Sequence, residues 1–589
     1  MSHIFAAGLA LLLLTGCQQR ASEPAPPKTL HAFEDDARLE AFFKKQPAAP
    51  APVEAAAPAP ADALAGSDSA LTAEHGKHLV LLRHGRLFTV EIGKDQLKPV
   101  AALDAFAPGA AALSRYDALI VSEDTLAVIG YSEAERGTGI NLFDIDAGGR
   151  LAFRAGYLLR AGDGAPGSVA ISQADSKLVL YAARAPDPLA DDPLAALPAL
   201  RAGPAPAPFA RIAPASRVYR LDAAIDSPLA LHSVIVCDLA ARVLRCDASA
   251  VLAPRARAVH MASQALYVWT LPYAGEAGAG LVRMPFNGGA PGAVRVAGAP
   301  HDPFSFYESA DAHLNVLVGA DGATRSWRGE AGPNALALLR LPLQAFSDGS
   351  ERAPMAGYKD LPDFPPGPLR NRFIGPWLVY GGAASGADGR APLYALRWDG
   401  SGGLQRLQLG HPVERIAAMG VDAVVAGQAR SALHLSSIRL GVGPDQPATV
   451  ASTYVHPNAQ ETPAPVQEPY YAAQRPGQGM LSLAIVEAGQ PDHVNDASAT
   501  APADAVADAV ADAASVLYLR NTALKLRELG ALKAQHDAPA DQAAWYGNAR
   551  PLFVQGRMFA LLGDELVEGK LKNGRLREAR RINYAPAAP

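Results

Sequence analysis

Cys17, Cys237 and Cys246 are the only thiols in 589 residues, so any chemistry at sulfur must use them. The last two lie in Val236-Cys237-Asp-Leu-Ala-Ala-Arg-Val-Leu-Arg-Cys246. A two-residue turn at Ala241-Arg242 would set 237 opposite 246, with Cβ atoms about 4.5–5.5 Å apart, close to disulfide reach. In an oxidising, exported compartment the expected product is a Cys237–Cys246 disulfide. Neither cysteine has a C-x-x-C partner or an adjacent histidine, so no metal ligand and no cofactor is assigned. The 14 histidines contain no H-E-x-x-H or H-x-H pair, and Glu74-His75-Gly76-Lys77-His78 reads as a solvated boundary segment. Asp144-Ile-Asp146-Ala-Gly148 begins like a calcium loop, but its twelfth position is Ala155 where a Glu is needed, so it reads as a turn. Ala320-Asp321-Gly322 through Trp327 approaches the Asp-box of sialidase propellers with its spacings off by one, and also reads as a turn. Gly275 to Gly280 lacks the strand-then-helix context of a phosphate loop, and no G-x-S-x-G elbow occurs. No catalytic residue is assigned. Trp269, Tyr273, Phe304, Phe306, Tyr307, Trp377, Tyr380 and Trp398 read mainly as packing, with a sugar or peptide as the expected ligand of any that reach a channel mouth.

The elements that would position these side chains are strands. Gly and Pro supply 53 and 49 residues, spread along the whole chain, which suits short strands and tight turns. From His78 onward an alternating strand, a polar turn and further strands return every 40 to 55 residues or so. The clearest unit runs from Leu119 to Leu159; others begin near Val169, His260, Phe304, Arg372, Val413, Ala514 and Arg550. Four short strands per unit at this period predict a β-propeller, with two unrelated all-β domains as the alternative. Closure by a blade shared between the strands at 79–92 and the meander 552–583 gives about eight blades, or seven. Segments 186–208, 458–468 and 501–514 read as loops or insertions. The net charge of −5, without a basic block, argues against nucleic acid as the main partner.

Residues 5–14 are apolar, too short to span a membrane and right for a signal-peptide core. They lead into Leu14-Thr15-Gly16-Cys17, which resembles the lipobox of bacterial lipoproteins, although the n-region Met1-Ser2-His3 lacks Lys or Arg. That resemblance implies a signal peptide at 1–17, lipidation of Cys17 and, with Gln18 following, an outer-membrane address; an ordinary secretory signal is the alternative. Residues 18–75 form an Ala/Pro-rich tether that cannot pack a core, interrupted by a short helix expected over 30–45. The ring then occupies 76–589, with 534–589 completing or capping it. Leu30-His-Ala-Phe33, the 121–159 and 168–186 strand series, Phe304-Ser-Phe and Ala514 to Leu529 resemble pieces of secreted bacterial and archaeal proteins with a C-terminal β-propeller. That resemblance covers about residues 30 to 533 and brings no established catalytic residues. The expected function is a lipid-anchored, non-catalytic module that binds an envelope protein, peptide or glycan. The rival is a hydrolase or lyase that uses carboxylates around the channel.

Overall fold

Middle strands such as His78–Arg83 are buried on both faces, because each blade is sandwiched between two others. In His78–Arg83 all six residues are buried. Leu79 and Leu81 point one way, into a cluster with Val554, Phe559 and Leu561, while Val80 and Leu82 point the other way, toward Leu119, Leu126 and Val128. Period-two alternation thus serves two interfaces at once. The computed structural model describes residues 29–46, 71–163, 169–221, 228–272, 278–320, 327–328, 332, 334–364, 367–382, 391–443, 445–461, 470–487, 514–535 and 549–584. Cys17, the rest of the signal segment, Tyr273 and 501–513 lie outside them.

The described residues form nine sheets, each built on a four-stranded antiparallel meander. We number these blades 1 to 9 in chain order: strands within 72–104, 115–160, 169–254, 256–296, 299–361, 369–409, 415–457, 459–533 and 550–583. Nine apolar clusters, one per junction, join each blade to the next and blade 9 back to blade 1. The expectation of about eight blades with one shared between the chain ends is therefore corrected. Thr72–His75 to Lys98–Asp104 make a complete first blade, and Arg550–Val554 to Arg575–Asn583 make a complete ninth. Both ends carry enough strand for a blade of their own, so none is shared. Thr72–His75 and His78–Arg83 also turn the expected histidine-rich boundary into the first hairpin of blade 1.

Three blades carry extra strands on their outer edges, supplied by neighbouring stretches of chain. After Arg184 the chain leaves blade 3, and Ala199–Ala202 pairs with Leu151–Arg160 at the outer edge of blade 2. It returns through Val218–Arg220, which lies parallel to Arg245–Pro254. The segment 186–208, expected as a loop, is thus partly a rim strand. Asp348–Arg352 leaves blade 5 in the same way and joins blade 4. His31–Ala32 adds a last strand to blade 3, and Asp36–Lys44 follows as a helix capped by the Asp35 carboxylate on Arg38 N at 2.8 Å. Its Leu39 and Phe43 are fully buried against Val218, Leu231 and Leu252 of the blade 3 rim.

Candidate functional site

The innermost edge of blade 5 is broken, and the break builds a cleft. Between Ala299–Pro300 and Phe306–Ser309 the chain makes one 3-10 turn, Pro303–Ser305. Asp302 and Ser305 cap it reciprocally, and Pro303 at the first position loses no needed donor. Asn371 of blade 6 donates to Asp302 Oδ1 and Ser305 Oγ, both at 3.0 Å, which fixes the turn against the neighbouring blade. Burial pushes the Asp302 carboxyl upward, opposed by these hydrogen bonds. The turn lifts Phe304 out, leaving it 40% exposed.

A cavity of about 270 Å³ opens here, walled by the first strands of blades 3 to 6: Ala170, Val259 to Met261, Pro303, Phe304, Phe306, Tyr307, Arg372 and Phe373. The Arg372 guanidinium lies 4.3 Å over the Phe304 ring. Tyr307 stacks on Phe373 at 5.4 Å and meets Trp398 at 5.6 Å. His260 stacks on Phe306 at 5.2 Å, with its Nδ1 3.2 Å from the Pro303 carbonyl. Burial pushes His260 down to about 4, so at neutral pH it is an uncharged ring that donates through Nδ1. Stacked aromatic faces beside one guanidinium suit a flat, partly apolar group such as a sugar ring or a planar side chain.

Phe304, Phe306 and Tyr307 were singled out by sequence and meet here. Trp269, Trp377 and Tyr380 are instead fully buried between blades. His260, Arg372 and Phe373 escaped notice, since they come from other blades and carry no local motif. Asp146 accepts from Gly148 N and Arg150 N, both at 2.9 Å, so that segment is the expected turn. Trp327 is buried, stacked on Tyr358 at 6.0 Å, and donates to Asp360 at 2.8 Å. Cys237 and Cys246 stand directly opposite in register, joined by a disulfide with Cα atoms 4.0 Å apart. The intervening turn is not the expected two-residue one. Residues 239–244 loop out because Leu239 and Leu244 bury themselves between blades 2 and 3, held by Ser176 O and Tyr157 Oη.

The carboxylates on or beside first strands are spread over several blades, with Glu308, which accepts from the Tyr267 hydroxyl, sharing blade 5 with Asp302. Glu74, Asp117, Asp302 and Glu414 belong to blades 1, 2, 5 and 7, each raised by burial. Among the described residues no three His, Cys, Asp or Glu gather as a metal site, and no helix is long and apolar enough to cross a membrane.

A closed ring of four-stranded meanders around an axial cleft defines the class: this is a β-propeller. No family model matches the chain, and no curated protein matches it. Among solved structures it is similar to the "eukaryotic initiation factor" crystal structure, at 9% identity over 79% of this chain and 87% of that one, with a TM-score of 0.32. It is also similar to Kluyveromyces lactis Hsv2 with its complete loop 6CD, at 9% identity over 60% of this chain and 95% of that one, with a TM-score of 0.27.

Proposed function

We propose that this protein is a binding module of a bacterial envelope, lipid-anchored through Cys17 and held on an Ala/Pro-rich tether, and that its axial aromatic cleft takes a glycan or an extended peptide. The anchor, the outer-membrane address and the kinship with secreted propeller proteins rest on the Leu14-Thr15-Gly16-Cys17 motif and on strand-turn likeness. The observation that carries the binding reading is Phe304, raised on a built turn and exposed beneath Arg372, next to stacked Tyr307 and Phe373. An aromatic surface held in place on a rigid ring loses little entropy when it binds.

The test is affinity capture from envelopes with the wild-type protein and a Phe304→Ala/Tyr307→Ala variant. The wild type should retain a glycan or peptide that the variant loses at least tenfold. Because Tyr307 packs on Phe373 and Trp398, the single Phe304→Ala variant, whose thermal stability should be little changed, must also show a clear loss. Equal recovery by both proteins would place binding elsewhere and sink the cleft. Separately, Cys17→Ser should abolish lipid on the mature protein by mass spectrometry. A wild type without lipid would remove the anchor.

A further inference from the structure

The seam where blade 9 meets blade 1 holds a second and larger cavity, of about 460 Å³. It lies between the middle and outer strands of blade 1 and the last strand of blade 9. Half of its lining residues are apolar: Phe88, Pro99, Val100, Ala101, Ala102 and Ile582. Phe88 and Tyr584 pack ring to ring across the seam at 4.8 Å. Its polar lining is made mainly of donors. Arg83 is 6% exposed, gives Nε to Gly563 O at 3.0 Å and Nη1 to Leu82 O at 3.1 Å, and keeps Nη2 without a partner. The Tyr584 hydroxyl is likewise buried and without a partner.

Among the described residues no carboxylate forms an ion pair with Arg83. The nearby Asp564 is taken by His84 at 2.7 Å, and Arg86 leans on Asp104 at 3.3 Å on the exposed side. Burial pushes the Arg83 guanidinium down to about 10, helped by neighbouring Arg550 and opposed by Asp564, so it stays charged at neutral pH. A buried cation without a counter-ion is expensive, and an unpaired buried hydroxyl adds to the cost. Both residues line the cavity, and an acceptor-only group is what each donor lacks. Such a group on an apolar body fits the walls as well as the two donors.

We propose that the ring seam is a binding site for an apolar carboxylate, which accepts from Arg83 Nη2 and the Tyr584 hydroxyl while its hydrophobic part fills the space between Phe88, Val100 and Ile582. A free small acid and the C-terminus of a peptide present the same chemistry. Calorimetry on the full chain should therefore compare 3-phenylpropionate with its amide, and acetyl-Gly-Phe with its C-terminal amide. At least one acid should bind saturably, at least tenfold tighter than its amide, and the tighter acid identifies the source. Arg83→Met should abolish that binding, and Tyr584→Phe should weaken it severalfold. Should Arg83→Met fail to fold, Ala102→Trp fills the cavity from its exposed wall and must abolish binding with the fold intact. Equal binding of acid and amide, no saturable binding of either acid, or full binding by a folded Ala102→Trp protein would each overturn the proposal.

Discussion

At the residue scale the buried polar groups say most. His232 is fully buried, with Nε2 2.8 Å from the Pro254 carbonyl and Nδ1 2.9 Å from the Tyr181 hydroxyl. That geometry makes Nε2 the donor and Nδ1 the acceptor, a neutral imidazole with both nitrogens used. Burial pushes it down to about 4, against roughly 6.5 in an unfolded chain. The unfolded state therefore binds a proton between pH 6.5 and 4 that the native state refuses. Its contribution is present in full above pH 6.5 and is lost as pH falls toward 4, by about 3 kcal/mol in total. His260 behaves in the same way. Denaturant unfolding at several pH values should show the slope of stability between pH 6.5 and 4.5 reduced by nearly one proton in His232→Gln, whatever that change costs at pH 7. An unchanged slope would mean that His232 already titrates normally in the fold. Sequence could not reveal this, because Tyr181 and Pro254 meet His232 only through strand register.

At the element scale the strands were legible and their sharing was not. Alternating runs such as 119–132 and 137–145 declare themselves, since a two-sided core demands apolar residues at nearly every position. Ala199–Ala202 and Asp348–Arg352 are four and five residues long, among Ala, Pro and polar neighbours, and present no such pattern. Each becomes a strand only because a blade edge with free N–H and C=O groups lies beside it. The aromatic cleft was half legible for the same reason: Phe304 to Tyr307 are contiguous, whereas His260 and Arg372 arrive from other blades. The helix Asp36–Lys44 was foreseen over 30–45, but its first residues are spent on the strand His31–Ala32. Leu39 and Phe43 have no exposed surface, so Leu39→Ala/Phe43→Ala should cost about 5–10 kcal/mol of docking energy. That exceeds what a nine-residue helix and a two-residue strand can hold. The segment should detach, with cleavage after Lys44 or Lys45 in limited proteolysis, while the ring keeps its melting temperature. A parallel fall in that temperature would show that the helix braces the ring. The Cys237–Cys246 link closes a loop with a sequence separation of 9, so Cys246→Ser should cost about 2–3 kcal/mol on thermal or denaturant unfolding.

At the scale of the whole molecule the decisive fact is that no blade is shared. A ring whose last blade mixes strands from both chain ends can open only by breaking sheet hydrogen bonds. Here opening breaks side-chain packing and a few polar ties. The packing is Leu79, Leu81, Val90 and Ile92 against Val554, Phe559, Leu561 and Leu566. The ties are Arg83 to Gly563 O, His84 to Asp564 at 2.7 Å, Arg557 to Ile92 O and to Gln96 O, Lys570 and Arg580 to Asp95, and Gln555 to Gly76 O at 2.8 Å. Blades otherwise contact only their neighbours, so an opened ring behaves as a linear array that frays from its ends. The junction of blades 4 and 5 differs, because Asp348–Arg352 leaves blade 5 and pairs with blade 4, crossing the junction in backbone. The two junctions can be probed with one chemistry, since Leu561 and Leu339 are both fully buried leucines at blade interfaces. Each change to Ala should cost about 2–5 kcal/mol locally. In Leu561→Ala, hydrogen exchange should accelerate first in blades 1 and 9, at denaturant concentrations where blades 4 and 5 remain protected. In Leu339→Ala the same order should persist, with blades 1 and 9 still opening before the damaged junction, because the crossing strand holds it. If Leu339→Ala instead makes blades 4 and 5 the first to exchange, the seam is not the weak joint, and side-chain packing alone closes this ring as firmly as backbone does.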